Sequence, residues 1–246
     1  MNHRAKNFMG AAEAFTLVEL LTVIGIIAIL AAMLMAVVPA AIRNARVQKA
    51  KIEMNGIASA IQAYESDYGH LPVPHTLLAT AQDCTFGATF QTPTGPLAIG
   101  TTAGGVLLSN AQVIAVLMNF TNYPGTTTAT SNTNGQANPK RIGYLTANMP
   151  GDTSSAGVGT DLVYRDPWGN PYVISLDSNG DGACEDAFYK SSTVSGGGIN
   201  GLIAQPDGNY GFHGAVMVWS AGPDGKVNPN VPANQDENKD NVLTWR

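Results

Sequence analysis

The residues in this chain whose types and spacing could do chemistry are almost all acidic. Asp177-Ser178-Asn179-Gly180-Asp181-Gly182 has the D-x-N-x-D-G opening of an EF-hand-type calcium loop, with Glu185 and Asp186 just beyond it. Calcium is a hard cation that takes oxygen ligands, and carboxylates alternating with an amide suit it. The twelfth position of that pattern requires a bidentate glutamate and is Phe188, which excludes a complete EF-hand. Asp177, Asn179, Asp181 and Glu185 remain as a shorter candidate loop. The competing reading is a polar turn, because Asn-Gly and Asp-Gly are hairpin residues. The other candidate is Glu19, the one charge in an apolar run from Phe15 to Val38. A carboxylate inside such a run is costly in lipid and marks a functional site by default.

Other chemistry is largely excluded. The four histidines have no HExxH or other metal spacing, and no GxSxG, phosphate-loop or dinucleotide fingerprint occurs. Cys84 and Cys184 form no CxxC motif, which removes thioredoxin-type redox chemistry and zinc ribbons. A Cys84–Cys184 disulfide stays open if the domain is exported. The net charge is −5 and no basic stripe runs through the soluble part, so nucleic acid is not an expected partner. Eleven acidic residues against five basic ones lie between Asp161 and Arg246. Only Asp83, Lys140, Arg141 and Asp152 are charged between Leu71 and Thr160, so the soluble part divides into a neutral middle and an acidic end.

The elements that must position these residues follow from periodicity. A helix rising about 1.5 Å per residue needs about 20 apolar residues to cross a bilayer core, and residues 15–38 supply them. Val47, Ala50, Met54, Ile57, Ile61, Tyr64 and Tyr68 then recur at steps of three and four, one apolar stripe on a continuing helix over 39–69. Pro39 is expected to kink or locally melt it. Gly69, Pro72 and Pro74 stop it. In residues 70–160, Ser109-Asn110-Ala111-Gln112 has capping-box spacing and predicts a short helix near 109–120. The Thr/Asn/Gly-rich stretch 126–138 reads as a surface loop, and the whole region as loop-rich decoration. In residues 161–246, the β-prone runs 161–164 and 172–176 flank the turn-forming Asp166-Pro167-Trp168-Gly169-Asn170-Pro171, a hairpin whose Trp168 covers an apolar surface. Ala215 to Ser220 is a further strand. The expected class is α+β, a long N-terminal helix packed on a small antiparallel sheet with a loop-rich C-terminal part.

The sequence Ala14-Phe15-Thr16-Leu17-Val18-Glu19 before an apolar run resembles the cleavage and methylation signal of type IV prepilins and type II secretion pseudopilins. Asp166 to Tyr172, Ser220-Ala221-Gly222-Pro223-Asp224-Gly225-Lys226 and the stretch from Asp236 to Trp245 resemble the C-terminal part of the major pseudopilin. The resemblance covers about 14–71 and 161–246. Two positions depart from it: Ala14 stands where the family usually has glycine, and Pro39 falls three residues after Ala36, the family's helix-proline position.

The resemblance implies a leader over residues 1–14, cut by prepilin peptidase between Ala14 and Phe15, with methylation of the new Phe15 amino group. It implies a filament of identical subunits in which Glu19 pairs with the Phe15 amine of a neighbour and sets the stagger. It also implies that Asp224, with Asp236, Asp240, Asn241 and a Ser220 carbonyl, holds calcium in a closing loop. The implied protein is no enzyme but a structural subunit of a type II secretion pseudopilus or related type IV filament. It would be anchored in the inner membrane with its C-terminal domain periplasmic, and would meet an assembly platform and minor pseudopilins. The alternative is a pilin or minor pilin serving adhesion, motility or DNA uptake. Basic residues alone argue the opposite topology: Arg4 and Lys6 precede the span, whereas Arg43, Arg46, Lys49 and Lys51 follow it.

Overall fold

In a computed structural model of the protein, residues 15–73 and 82–245 are described. The leader with Ala14, the stop at Pro74 and residues 75–81 lie outside them. The chain divides into two compact units, one reaching to Ala45 and one from Arg46 onward.

The first unit holds the apolar start of helix α1, Leu17–Tyr68. Leu17, Val18, Leu20, Leu21 and the large apolar residues onward to Val38 are exposed on every side. This is the composition of a helix whose surroundings are apolar, and it is long enough to cross a membrane. The helical assignment runs through Pro39 without a break, which differs from the expected local melting. One missing amide leaves a single hydrogen bond unmade, and the turns on either side hold the helix.

In the second unit the expected stripe becomes a core seam. Ala50, Met54, Ile57, Ile61 and Tyr64 are buried, while Val47 and Tyr68 are half-buried at its ends. Gly69 ends α1 in the left-handed region (φ 71°), its amide donating to the Glu65 carbonyl at 2.7 Å.

The seam packs on a four-stranded antiparallel sheet ordered Cys84–Phe86, Val173–Leu176, Val216–Ser220, Val242–Leu243. Alternate residues point to opposite faces of a strand. Ile174, Leu176, Val216, Val218 and Val242 share the core that contains α1, whereas Val173, Met217, Trp219 and Leu243 belong to a second core on the other face. Because both faces are covered, Val173–Leu176 and Val216–Ser220 are buried along their whole length. On the second face Trp219 stacks near Phe90 and Phe188 and meets Tyr189 edge-on.

The middle region does more than decorate. Cys84–Phe86 is an edge strand of the main sheet, and the hairpin Ala88–Thr92/Gly95–Ile99 sends Phe90 and Ile99 into the second core. Helix α2, Ala111–Leu117, is shorter than expected and almost wholly buried. Asn110 does not cap it with its side chain. Its amide instead binds the backbone of Tyr164 and Tyr172: Nδ2 donates to both carbonyls (2.9 and 2.7 Å) and Oδ1 accepts from the Tyr164 amide. The stretch 126–138 is only partly a surface loop, since Thr130, Asn132 and Asn138 are buried and bind backbone groups.

The predicted 161–176 hairpin forms in reduced size. Arg165 bridges to Pro171, but Tyr164–Arg165 pairs mainly with Gly157–Val158, and Val173–Leu176 joins the main sheet. Trp168 packs against the first core as expected. The disulfide does not form: Cys84 and Cys184 are buried free thiols, one in each core.

Candidate functional site

Three places carry the candidate residues. At the first, α1 begins one residue after Thr16, and Phe15 lies outside the helix and exposed. Thr16 donates to Glu19 Oε2 twice, from its amide at 2.9 Å and its hydroxyl at 2.7 Å. The Glu19 amide donates back to the Thr16 hydroxyl at 3.2 Å. This is a capping box, and the Thr16 carbonyl accepts the bond from Leu20 (3.2 Å). Thr16 is absent from the candidates above, although T-x-x-E before an apolar run is a readable signal for it. Glu19 thus sits in the first turn of an apolar helix, where the helix dipole favours a negative charge.

At the second place the turn Asp166–Pro171 clamps the loop Ser220–Lys226. Asp166 is fully buried and accepts from the Trp168 and Asn170 amides (2.9 Å each) and the Ser220 hydroxyl (2.5 Å). Burial pushes its carboxyl upward, and these hydrogen bonds oppose the shift. Asn170 Nδ2 donates to the Gly222 carbonyl at 2.9 Å. Gly222 (φ 70°) lies so close to the Asp240 carbonyl that a Cβ would stand 2.3 Å from it. The two halves of the closing loop therefore meet.

The expected ligands are only partly gathered there. Asp224 and Asp236 are exposed, and Asp224 Oδ1 accepts from the Lys226 amide. The Ser220 hydroxyl is engaged by Asp166. Asp240 lies half-buried in the turn Asp236–Asp240, and Asn241 follows it. Asn241 Nδ2 donates to the Tyr189 hydroxyl (2.8 Å), and its Oδ1 is a buried acceptor with no hydrogen-bond donor. Among the described residues no group of three or more Asp, Glu, His or Cys is placed to hold a metal ion. A cation here would have to rely on Asn241 Oδ1 and backbone carbonyls as well as carboxylates.

At the third place, Asp177 Oδ1 and Oδ2 accept from the Gly180 and Gly182 amides (2.7 and 2.9 Å). Asn179 and Asp181 accept from the amides two residues ahead of them. These are the bonds of a polar turn. Beside it opens a cavity of about 730 Å³, lined by Asp181 and Glu185 and also by Asp83, Asp207, Lys190 and Asn209. Burial, reinforced by Asp177 and Asp181, pushes the Asp83 carboxyl up to about 6, against the Glu185 amide, which lowers it.

Comparison with family models, with characterised proteins and with solved structures returns no match. The fold and sites therefore define a class only: an α+β domain whose long N-terminal helix begins in a membrane-compatible apolar span, an arrangement compatible with a pilin-like fold.

Proposed function

We propose that this chain is a structural subunit of a filament, of the type II pseudopilus or related type IV kind, and not an enzyme. The observation that carries the reading is Glu19. It is the lone carboxylate of the exposed apolar span that begins α1, in the first turn of the helix and four residues after the exposed Phe15. In the proposed mature chain Phe15 bears the new amino group after prepilin peptidase removes residues 1–14. A carboxylate and an ammonium that are each costly in lipid neutralise one another when a neighbouring copy adds. The subunit is held in the inner membrane with its C-terminal domain periplasmic, and supports protein secretion through an assembly platform and minor pseudopilins. Overproduction in a host with a prepilin peptidase should yield thin filaments in the sheared fraction, labelled by antibody to residues 161–246. A chain found only as dispersed membrane protein would refute the reading.

Calcium at the closing loop belongs to the same proposal. Its support is the close meeting of Gly222 with the Asp240 carbonyl and the buried, undonated Asn241 Oδ1. Millimolar calcium should raise the melting temperature of the full chain in detergent, and Asn241→Leu should abolish that rise. A melting temperature indifferent to calcium removes the ion from the proposal.

A further inference from the structure

The capping box divides the work of the Glu19 carboxylate. Oε2 takes both donors from Thr16, and no bond to Oε1 occurs among the described residues. One oxygen is committed to its own helix and the other is open. Phe15 stands before the cap, outside α1, with 74% of its surface exposed.

We propose that Thr16 is a positioning residue for assembly: by holding Oε2 in the cap, it presents Oε1 to the Phe15 amino group of a second copy of this chain. The inference rests on the filament reading above. A glutamate side chain has three rotatable torsions, and fixing them on docking costs conformational entropy. The cap fixes them beforehand, so the charge pair forms with less left to order. The cap also ends the helix at Leu17, because an N-cap residue has non-helical backbone while its carbonyl accepts the first helical bond. Phe15 is thereby kept out of the helix.

Thr16→Val preserves side-chain shape and removes the hydroxyl. Thr16→Ser keeps the hydroxyl. Both, with Glu19→Ala and the native chain, are expressed as full-length protein in a filament-forming host, and sheared filament is measured per amount of processed chain. The expected result is a fall of about five-fold for Thr16→Val, the ratio a typical cap loss corresponds to, and recovery to within about two-fold for Thr16→Ser. Melting of the Arg46–Arg246 unit, followed in the same full-length chains, should not change. Native filament yield from Thr16→Val overturns the proposal, as does a Thr16→Ser chain that fails as badly as Thr16→Val. If Glu19→Ala itself assembles normally, the charge-pair reading falls. If Glu19→Ala fails while Thr16→Val assembles, only the role of Thr16 falls.

Discussion

Asp186→Ala is expected to cost the folded domain about 3–5 kcal/mol, because it removes the shared acceptor of four buried hydrogen bonds and leaves their donors unsatisfied. Asp186 is fully buried, and four donors converge on it. The Ser175 hydroxyl (2.7 Å) and Trp219 Nε1 (2.9 Å) reach Oδ2, and the Phe188 and Tyr189 amides (2.9 Å each) reach Oδ1. The carboxylate thereby ties the second face of the sheet, through Ser175 and Trp219, to the turn that carries Phe188 and Tyr189. Alanine strands all four donors in a dry core, each unsatisfied group costing about 1–3 kcal/mol before relaxation. It also opens space beside Trp219, the largest fully buried side chain. Urea unfolding of the full chain in detergent, monitored by tryptophan fluorescence, measures the loss. A change below about 1 kcal/mol, the usual scale of a neutral hydrogen bond, would mean that Asp186 is not the hub of this core.

Glu19→Ala carries the second large effect, and on a different property. Glu19 is exposed at the start of α1 and lies far in sequence from the two cores, so the domain should melt unchanged. Removing a carboxylate from an apolar span should strengthen membrane retention. If the proposed pairing holds, filament yield should nonetheless fall to the detection limit, because the neighbouring Phe15 ammonium would lose its partner and an unpaired charge in lipid is unfavourable. Glu19→Gln separates charge from capping. Glutamine retains an oxygen for the Thr16 donors, and glutamine is an accepted third residue of a capping box. Assembly by Glu19→Gln at the native level would assign the site to capping alone and contradict the charge pair.

Much of the helical frame was legible in the sequence. The three-and-four spacing from Val47 to Tyr68 marked the buried seam, and Gly69 marked its end, because helix periodicity and αL capping are local properties. The strands at 173–176 and 216–220 were legible within the β-prone stretches 172–176 and 215–220 for the same reason. What stayed hidden depends on long-range pairing. Asp186 is indistinguishable in sequence from its neighbour Glu185, yet one is the hub of a core and the other lines a cavity. The Ser109-x-x-Gln112 spacing suggested a cap and said nothing of Asn110, which ties the backbones of Tyr164 and Tyr172, more than fifty residues away. Asp83 joins the Asp181–Glu185 loop across about a hundred residues, with its carboxylate accepting from the Glu185 amide at 2.6 Å. Tyr172 belongs to a β-prone run, which says nothing of its hydroxyl donating to Glu53 on α1 at 2.6 Å and fastening the turn to the helix. Thr16 is the exception: its spacing to Glu19, T-x-x-E before an apolar run, is a local signal that the sequence carries in full.

The central claim is that this chain is a processed filament subunit, and the mass of its mature N-terminus tests that most directly. Intact-mass and peptide analysis of the chain purified from membranes should show residues 1–14 absent and a methyl group on the amino nitrogen of Phe15. An intact Met1, or a cut beyond Ala32 that removes Glu19 with the apolar run, would contradict it.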